Sequence, residues 1–426
     1  MTHTRAILDF ASAPHALPPQ VRADAERLLA DTLAVGAAGA VSPEALKLRE
    51  AIAGWGNGTD ARLFSGGTAP ASSAAFFNGF AIHCLEWDAV HEPAVVHALS
   101  VVTAALLAAS DRMGGDDVDA LLTALCVGVD IASGLGISAT APMKFFRPST
   151  AGVIGAALAV ARLEGYSRAQ MADILGLAYS FAGGTMQAHV EASIALPLQI
   201  GRAAQAAIQA VDLVGLGLTG PHDVLEGPFG YSELIEPLDL ANYSAGLGHV
   251  WRVSEVSIKP FPSGRASHGA LGALEELRRN RRISLETVAS IELVAPPLIH
   301  RLIGRTYQPD ALMSYNRLCL AFLAPLMLRD GHIDPRHNDS IATLAEKVTV
   351  TLNGNPDGNA LSPQRLVVSL KDGSIIEQNI DANLGSPAAP MSPVQHAAKY
   401  DLCRILAPNC DPRIFDDPLA YAMDPK

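Results

Sequence analysis

From residue 18 to about 248, apolar residues recur at helical spacing, and almost no segment shows the two-residue alternation of a strand. This half of the chain is therefore expected to be a helical bundle. Val21, Ala25, Leu28, Leu29 and Leu33 form an apolar stripe, Arg22, Asp24, Glu26 and Arg27 mostly face outward, and Pro19 suits a first helical turn. Ser167 and Gln170 have capping-box spacing ahead of Met171, Ile174 and Leu175. Further helices are expected near 118–131, 151–163 and 198–213. Gly152, Gly155, Ala156, Ala157 and Ala159 would let helices approach closely around a buried element.

The period changes near Trp251. Val253, Val256 and Ile258 lead into Lys259-Pro260-Phe261-Pro262, where two prolines stop regular structure and hold the chain extended. Beyond them the pattern predicts helices at 266–279 and 316–328 and strands at 290–295, 347–352 and 365–370. Lys371-Asp372-Gly373-Ser374 is a hairpin signal leading into 375–380, because glycine tolerates positive φ. The fold class expected is mainly α with a smaller α+β domain: a helical domain at 1–254 completed by 396–426, and a lid at 255–395. The last helix, 394–406, is free to return to the bundle.

With 426 residues, two or three structural units are expected. Hydrophobic residues at 49% against 17% charged exclude global disorder. The 31 basic and 43 acidic residues leave a net charge of −12, which excludes a broad electrostatic footprint for nucleic acid or an anionic membrane. An anionic ligand must meet a local basic pocket. Five scattered cysteines with no C-x-x-C pair fit neither a disulfide framework nor a zinc ribbon, and favour a reducing cytoplasm. Residues 1–14 lack a long hydrophobic region, and apolar stretches such as 98–109 fall short of the roughly 20 residues a membrane span needs. A soluble cytoplasmic protein is the expectation.

The densest titratable cluster runs from His83 to His97, with three histidines and three carboxylates in 15 residues. His83 and Glu86, three apart, would share a helix face and orient one another or, as the minor reading, hold a metal. His97 precedes the apolar run Leu99, Val101, Val102 and Leu106, so it sits at a helix start, where the dipole favours a neutral imidazole able to act as a base. In the second cluster, Lys259 to His268, a lysine on a stiff loop, Ser263, Gly264, Arg265 and His268 could converge on a carboxylate; the bland alternative is a solvated linker. Residues 215–220 match G-x-G-x-x-G, but follow a helix instead of a strand and so lack the dinucleotide-binding context.

The order of these pieces carries a resemblance. Asn78-Gly79, then His83-x-x-Glu86-Trp87-Asp88 and His97, then Phe146-Arg147-Pro148-Ser149, then Pro197-Leu198-x-Ile200-Gly201-Arg202-Ala203-Ala204, then Lys259-Pro260-Phe261-Pro262 together resemble the MmgE/PrpD family. That family includes 2-methylcitrate dehydratase, cis-aconitate decarboxylase and iminodisuccinate epimerase. The resemblance implies a helical domain built from both chain ends, an α+β lid, a homodimer, and a site between the domains needing no metal or organic cofactor. It places the family histidine on His97, the lysine on Lys259 and the acids on Glu86 and Asp88. The chain departs where tricarboxylate-acting members have Phe-His-Pro-Thr, since Arg147 replaces the histidine. A family lysine falls on Leu196, with Gln199 and Arg202 following, and a tyrosine falls on Phe322.

These readings lead to a cofactor-independent lyase or isomerase that moves a proton on carbon beside a carboxylate of a small di- or tricarboxylic acid. His97 would be the base, Lys259 the acid or enolate stabiliser, and Glu86 or Asp88 would orient the imidazole. Arg147, Arg202 and Arg265 would clamp carboxylates, with Ser263 and His268 beside them. Epimerisation by two bases, or a catalytically silent carboxylate-binding homologue, are the alternatives.

Overall fold

A computed structural model describes residues 2–337 and 342–425. Two hydrophobic cores organise it. The first gathers side chains from Ile7 to Ile258 and, from the chain's end, Met391, Cys403, Ala407, Ile414, Tyr421 and Ala422. The second runs from Phe261 to Ile380. The molecule is thus mainly α-helical with a smaller α+β part.

The first core is a bundle around the Ala71–His83 helix, which is buried on every side and packs against Ala98–Met113 and Ala195–Gly215. A helix apolar all round belongs in an interior. Close approach depends on glycine. A Cβ on Gly155 would stand 2.3 Å from the Gly128 carbonyl oxygen, where Arg147–Leu163 crosses Val118–Ile137. The latter helix corrects the expectation about apolar length: its 20 residues are long and apolar enough to cross a membrane, but 89% of its most apolar window is buried in the bundle. The expected helix starts are present, with Pro19 in the first turn and the Ser167–Gln170 capping box closed.

The cap carries a four-stranded sheet in the spatial order Val348–Leu352, Val288–Ala295, Gln364–Leu370, Ile375–Ile380. The first pair is parallel and the others antiparallel. A parallel pair needs a long crossover, and here it contains the Pro297–Ile303 and Leu320–Asp330 helices. The Asp372-Gly373 turn forms as expected, with Gly373 at φ 89°. The helix expected at 316–328 is broken instead: Met313–Asn316 ends, Cys319 is extended, and a new helix starts at Leu320. The break frees the Arg317 carbonyl to accept the Gly264 amide at 3.0 Å, which fastens the loop after Lys259.

The Pro393–Leu406 helix returns to the bundle and packs on Pro19–Gly39. Its buried Lys399 pairs with Asp31 at 2.6 Å and donates to the Trp87 carbonyl at 3.3 Å. The chain's end therefore braces the loop that carries Glu86 and Asp88.

Gly155→Ala should lower thermal stability, because overpacking against backbone costs about 1–3 kcal/mol. Gly54→Ala, with nothing within 4 Å of the added methyl in a helix, should leave Tm unchanged or raise it. Differential scanning calorimetry of the two variants checks the contrast.

Candidate active site

The central helix ends at His83, and an irregular loop then leads to His97, immediately before the Ala98–Met113 helix. Glu86 (φ 55°) and Val95 (φ 52°) in this loop hold left-handed backbone, which costs a non-glycine residue about 1–3 kcal/mol and persists only where surroundings enforce it. Enforcement is visible. Trp87 is buried and donates its indole N–H to the Pro260 carbonyl at 3.2 Å, while Val90 and Ser257 exchange backbone hydrogen bonds of 3.0 and 2.9 Å. These contacts bring Lys259 beside Glu86, 173 positions earlier in the chain.

Asp88 is the hub. Its carboxylate, fully shielded from solvent, lies 2.9 Å from His83 Nδ1 and 3.0 Å from His97 Nδ1, and accepts the Ser100 hydroxyl. Lys259 Nζ stands 3.7 Å from its other oxygen, donates to the Glu86 carbonyl at 3.0 Å, and meets the Glu86 carboxylate at 3.3 Å. The same Glu86 carboxylate is 3.4 Å from His83 Nε2.

Burial alone would raise both carboxyl groups, but the charges of His83, Lys259 and His97 outweigh it. Glu86 is held down at about 2, and Asp88 well below the usual carboxylate range. The two imidazoles part company. Burial depresses each, yet His83 faces both Asp88 and Glu86 and ends above its ordinary value. His97 ends below: burial dominates, Asp88 opposes it, and Lys259 adds to the lowering. A neutral His97 is the state expected from its helix position, but burial rather than the helix dipole is the main cause. With His83 and Lys259 positive and Glu86 and Asp88 negative, the cluster balances and leaves His97 as the free base. Its Nδ1 faces Asp88 at 3.0 Å, so Nε2 is the nitrogen left for a reactant.

These groups open into a cavity of about 60 Å³ between the cores, lined by His83, Glu86 and His97 from the bundle and by Leu302, Ile303 and Leu361 from the cap. Ligand atoms of His83, Asp88 and His97 lie within 4.8 Å of one another, a donor set a metal accepts. The ammonium of Lys259 beside both carboxylates would repel a dication there, and the arrangement suits proton sharing better.

Residues 10–240 match the MmgE/PrpD N-terminal domain and residues 261–405 the MmgE/PrpD C-terminal domain. The chain belongs to the MmgE/PrpD family. Among its relatives, the cis-aconitate decarboxylase of Homo sapiens is 29% identical over 355 residues, covering 76% of this chain and 70% of that protein. The cis-aconitate decarboxylase of Mus musculus is 27% identical over the same shares. That of Aspergillus terreus is 24% identical over 347 residues, covering 74% and 70%.

Against this MmgE/PrpD background, the remaining expected site residues divide. Arg265 lines the cavity, but one guanidinium nitrogen is paired with Glu92 at 2.6 Å and another with the Leu384 carbonyl at 2.7 Å. Ser263 and His268 contact each other at 3.2 Å behind it, and burial together with the Arg265 charge pushes His268 well below its ordinary value. Arg147 must be corrected. It is buried in a multiple contact with the Glu236 carboxylate and donates to the Ala94 carbonyl at 2.9 Å, so it holds the loop before Val95 and is not free for a substrate carboxylate. Arg202 must be corrected too, since it lies exposed on its helix with Gln205 and Gln209. Leu196 lines the cavity, whereas Phe322 belongs to the cap core. His189 and Arg305 were missed: each stands alone in sequence, and only the fold sets Arg305 Nη2 3.3 Å from His189 Nδ1.

Asp88→Asn should bring the His83 pKa down, because the charge holding its proton is gone; histidine NMR titration reads this. The stability linkages of the two imidazoles have opposite signs. The raised His83 stabilises the fold below pH 6.5 and loses that contribution as pH rises through its folded value. The lowered His97 stabilises it above pH 6.5 and loses that contribution as pH falls through its folded value.

Proposed function

We propose that this lyase-type enzyme works by proton transfer at carbon beside a carboxylate of a small organic acid, ending in loss of water or carbon dioxide. The observation that carries this reading is the pair of cavity-lining imidazoles held against one buried carboxylate, one kept charged and one kept neutral. His97 Nε2 accepts the proton from carbon. His83, as imidazolium, is the acid facing the cavity, and donates to the departing oxygen or to carbon. Lys259 stands behind Glu86, where its charge stabilises an enolate while Glu86 and Asp88 remain ionised. In an elimination, the C–H electrons form the double bond, the C–O bond breaks, His97 takes the proton from carbon, and His83 gives its proton to the departing oxygen. In a decarboxylation, the C–C bond breaks to release carbon dioxide, and carbon takes the proton from His83. The decarboxylase relatives favour these outcomes over epimerisation. The two rings, with centroids 4.8 Å apart and set edge to face on one carboxylate, are too close together to stand on opposite faces of a substrate.

Turnover of hydroxy and unsaturated carboxylic acids in deuterium oxide, followed by NMR, tests the reading. His97→Gln and Lys259→Met should each lower kcat by about 10² to 10⁴. Full activity in both variants would remove the mechanism, inverted deuterated substrate would mean epimerisation, and binding without turnover a silent homologue. The pH profile of kcat/KM should be a bell, with its acid limb below 6.5 as His97 protonates and its alkaline limb above 6.5 as His83 loses its proton.

A further inference from the structure

The cations around the cavity are nearly all spoken for. Lys259 faces Glu86, Arg265 faces Glu92, and Arg147 faces Glu236. Arg305 differs. It is half-buried, makes no ion pair among the described residues, and its Nη1 is buried without a hydrogen-bond partner. It is nevertheless fixed, packed over the Tyr315 ring at 5.2 Å and donating to the His189 carbonyl.

Arg305 also sets the proton on His189. A guanidinium only donates, so the 3.3 Å contact from Nη2 makes His189 Nδ1 the acceptor and leaves the ring proton on Nε2. Burial and the Arg305 charge hold His189 at about 4, so the ring stays neutral. A neutral N–H donor backed by an unpaired positive charge, on a residue that lines the cavity, suits one carboxylate. The wall around it is apolar, with Leu196, Met143, Phe146 and Met186. Further carboxylates set against that wall would lose their water without gaining partners.

We propose that His189, backed by the Arg305 charge, anchors a single substrate carboxylate and that the rest of the substrate is largely apolar, lying along Leu196, Met143, Phe146 and Met186. The proposal rests on reading this cavity as the active site and narrows the acid it takes from the polycarboxylates of the family resemblance. Leu196 then excludes a second or third carboxylate by leaving it unpaired.

Hexanoate, adipate and tricarballylate have six carbons each and carry one, two and three carboxylates, so calorimetric titration of the whole protein with the three isolates charge from size. Hexanoate should bind at least tenfold more tightly than tricarballylate, with adipate between. Arg305→Gln should weaken hexanoate at least tenfold and Arg305→Lys should restore part of the loss. Leu196→Lys should shift preference toward tricarballylate. Tighter binding of tricarballylate by the wild type, an unchanged hexanoate affinity in Arg305→Gln, or no binding of any of the three overturns the proposal. Because binding and not turnover is read, an inactive enzyme that still prefers hexanoate would sink the reaction and spare the anchor; an active one that prefers tricarballylate would do the reverse.

Discussion

A carboxylate removed from water must be surrounded by donors, and the burial of Asp88 imposes that requirement on three separate stretches of chain. His83 comes from the end of the central helix, His97 and Ser100 from the start of the next, and Lys259 from the junction between the cores. None can move far without stranding a charge. The left-handed residues Glu86 and Val95, the seated Trp87 indole and the brace from Lys399 are local arrangements that meet this demand.

The same constraint explains how two like side chains differ in chemistry. His83 sits between two anions, whereas His97 shares only one of them, and the ammonium opposes a charge on it. One carboxylate thus supports an acid and a base within one small volume, with no net charge to bury. The division of labour between the layers follows. The bundle supplies the proton-handling groups, and the cap supplies much of the wall together with Arg265, while Arg305 stands behind His189.

Elements whose stability is local were legible. Helix starts at Pro19 and Ser167 and the Asp372-Gly373 turn are set by caps and φ preferences within a few residues, and all appear. The break at Cys319 was not, because the Gly264 amide that the freed Arg317 carbonyl accepts comes from a distant part of the chain. His97 and Lys259 stood out through their neighbours in sequence. The arginines do not sort themselves in sequence: Arg147 reads as a ligand clamp because its partner Glu236 lies 89 positions away. His189 and Arg305 have no motif around them and become a pair only in space.

The sequence by itself determined a helical body, a mixed cap and a histidine–carboxylate–lysine vocabulary, since periodicity, caps and motif order are properties of neighbouring residues. Tertiary structure decided which charges neutralise one another and which remain for a ligand. The physical reason is that a side chain's proton state and its freedom to bind depend on burial and on partners that arrive from distant parts of the chain.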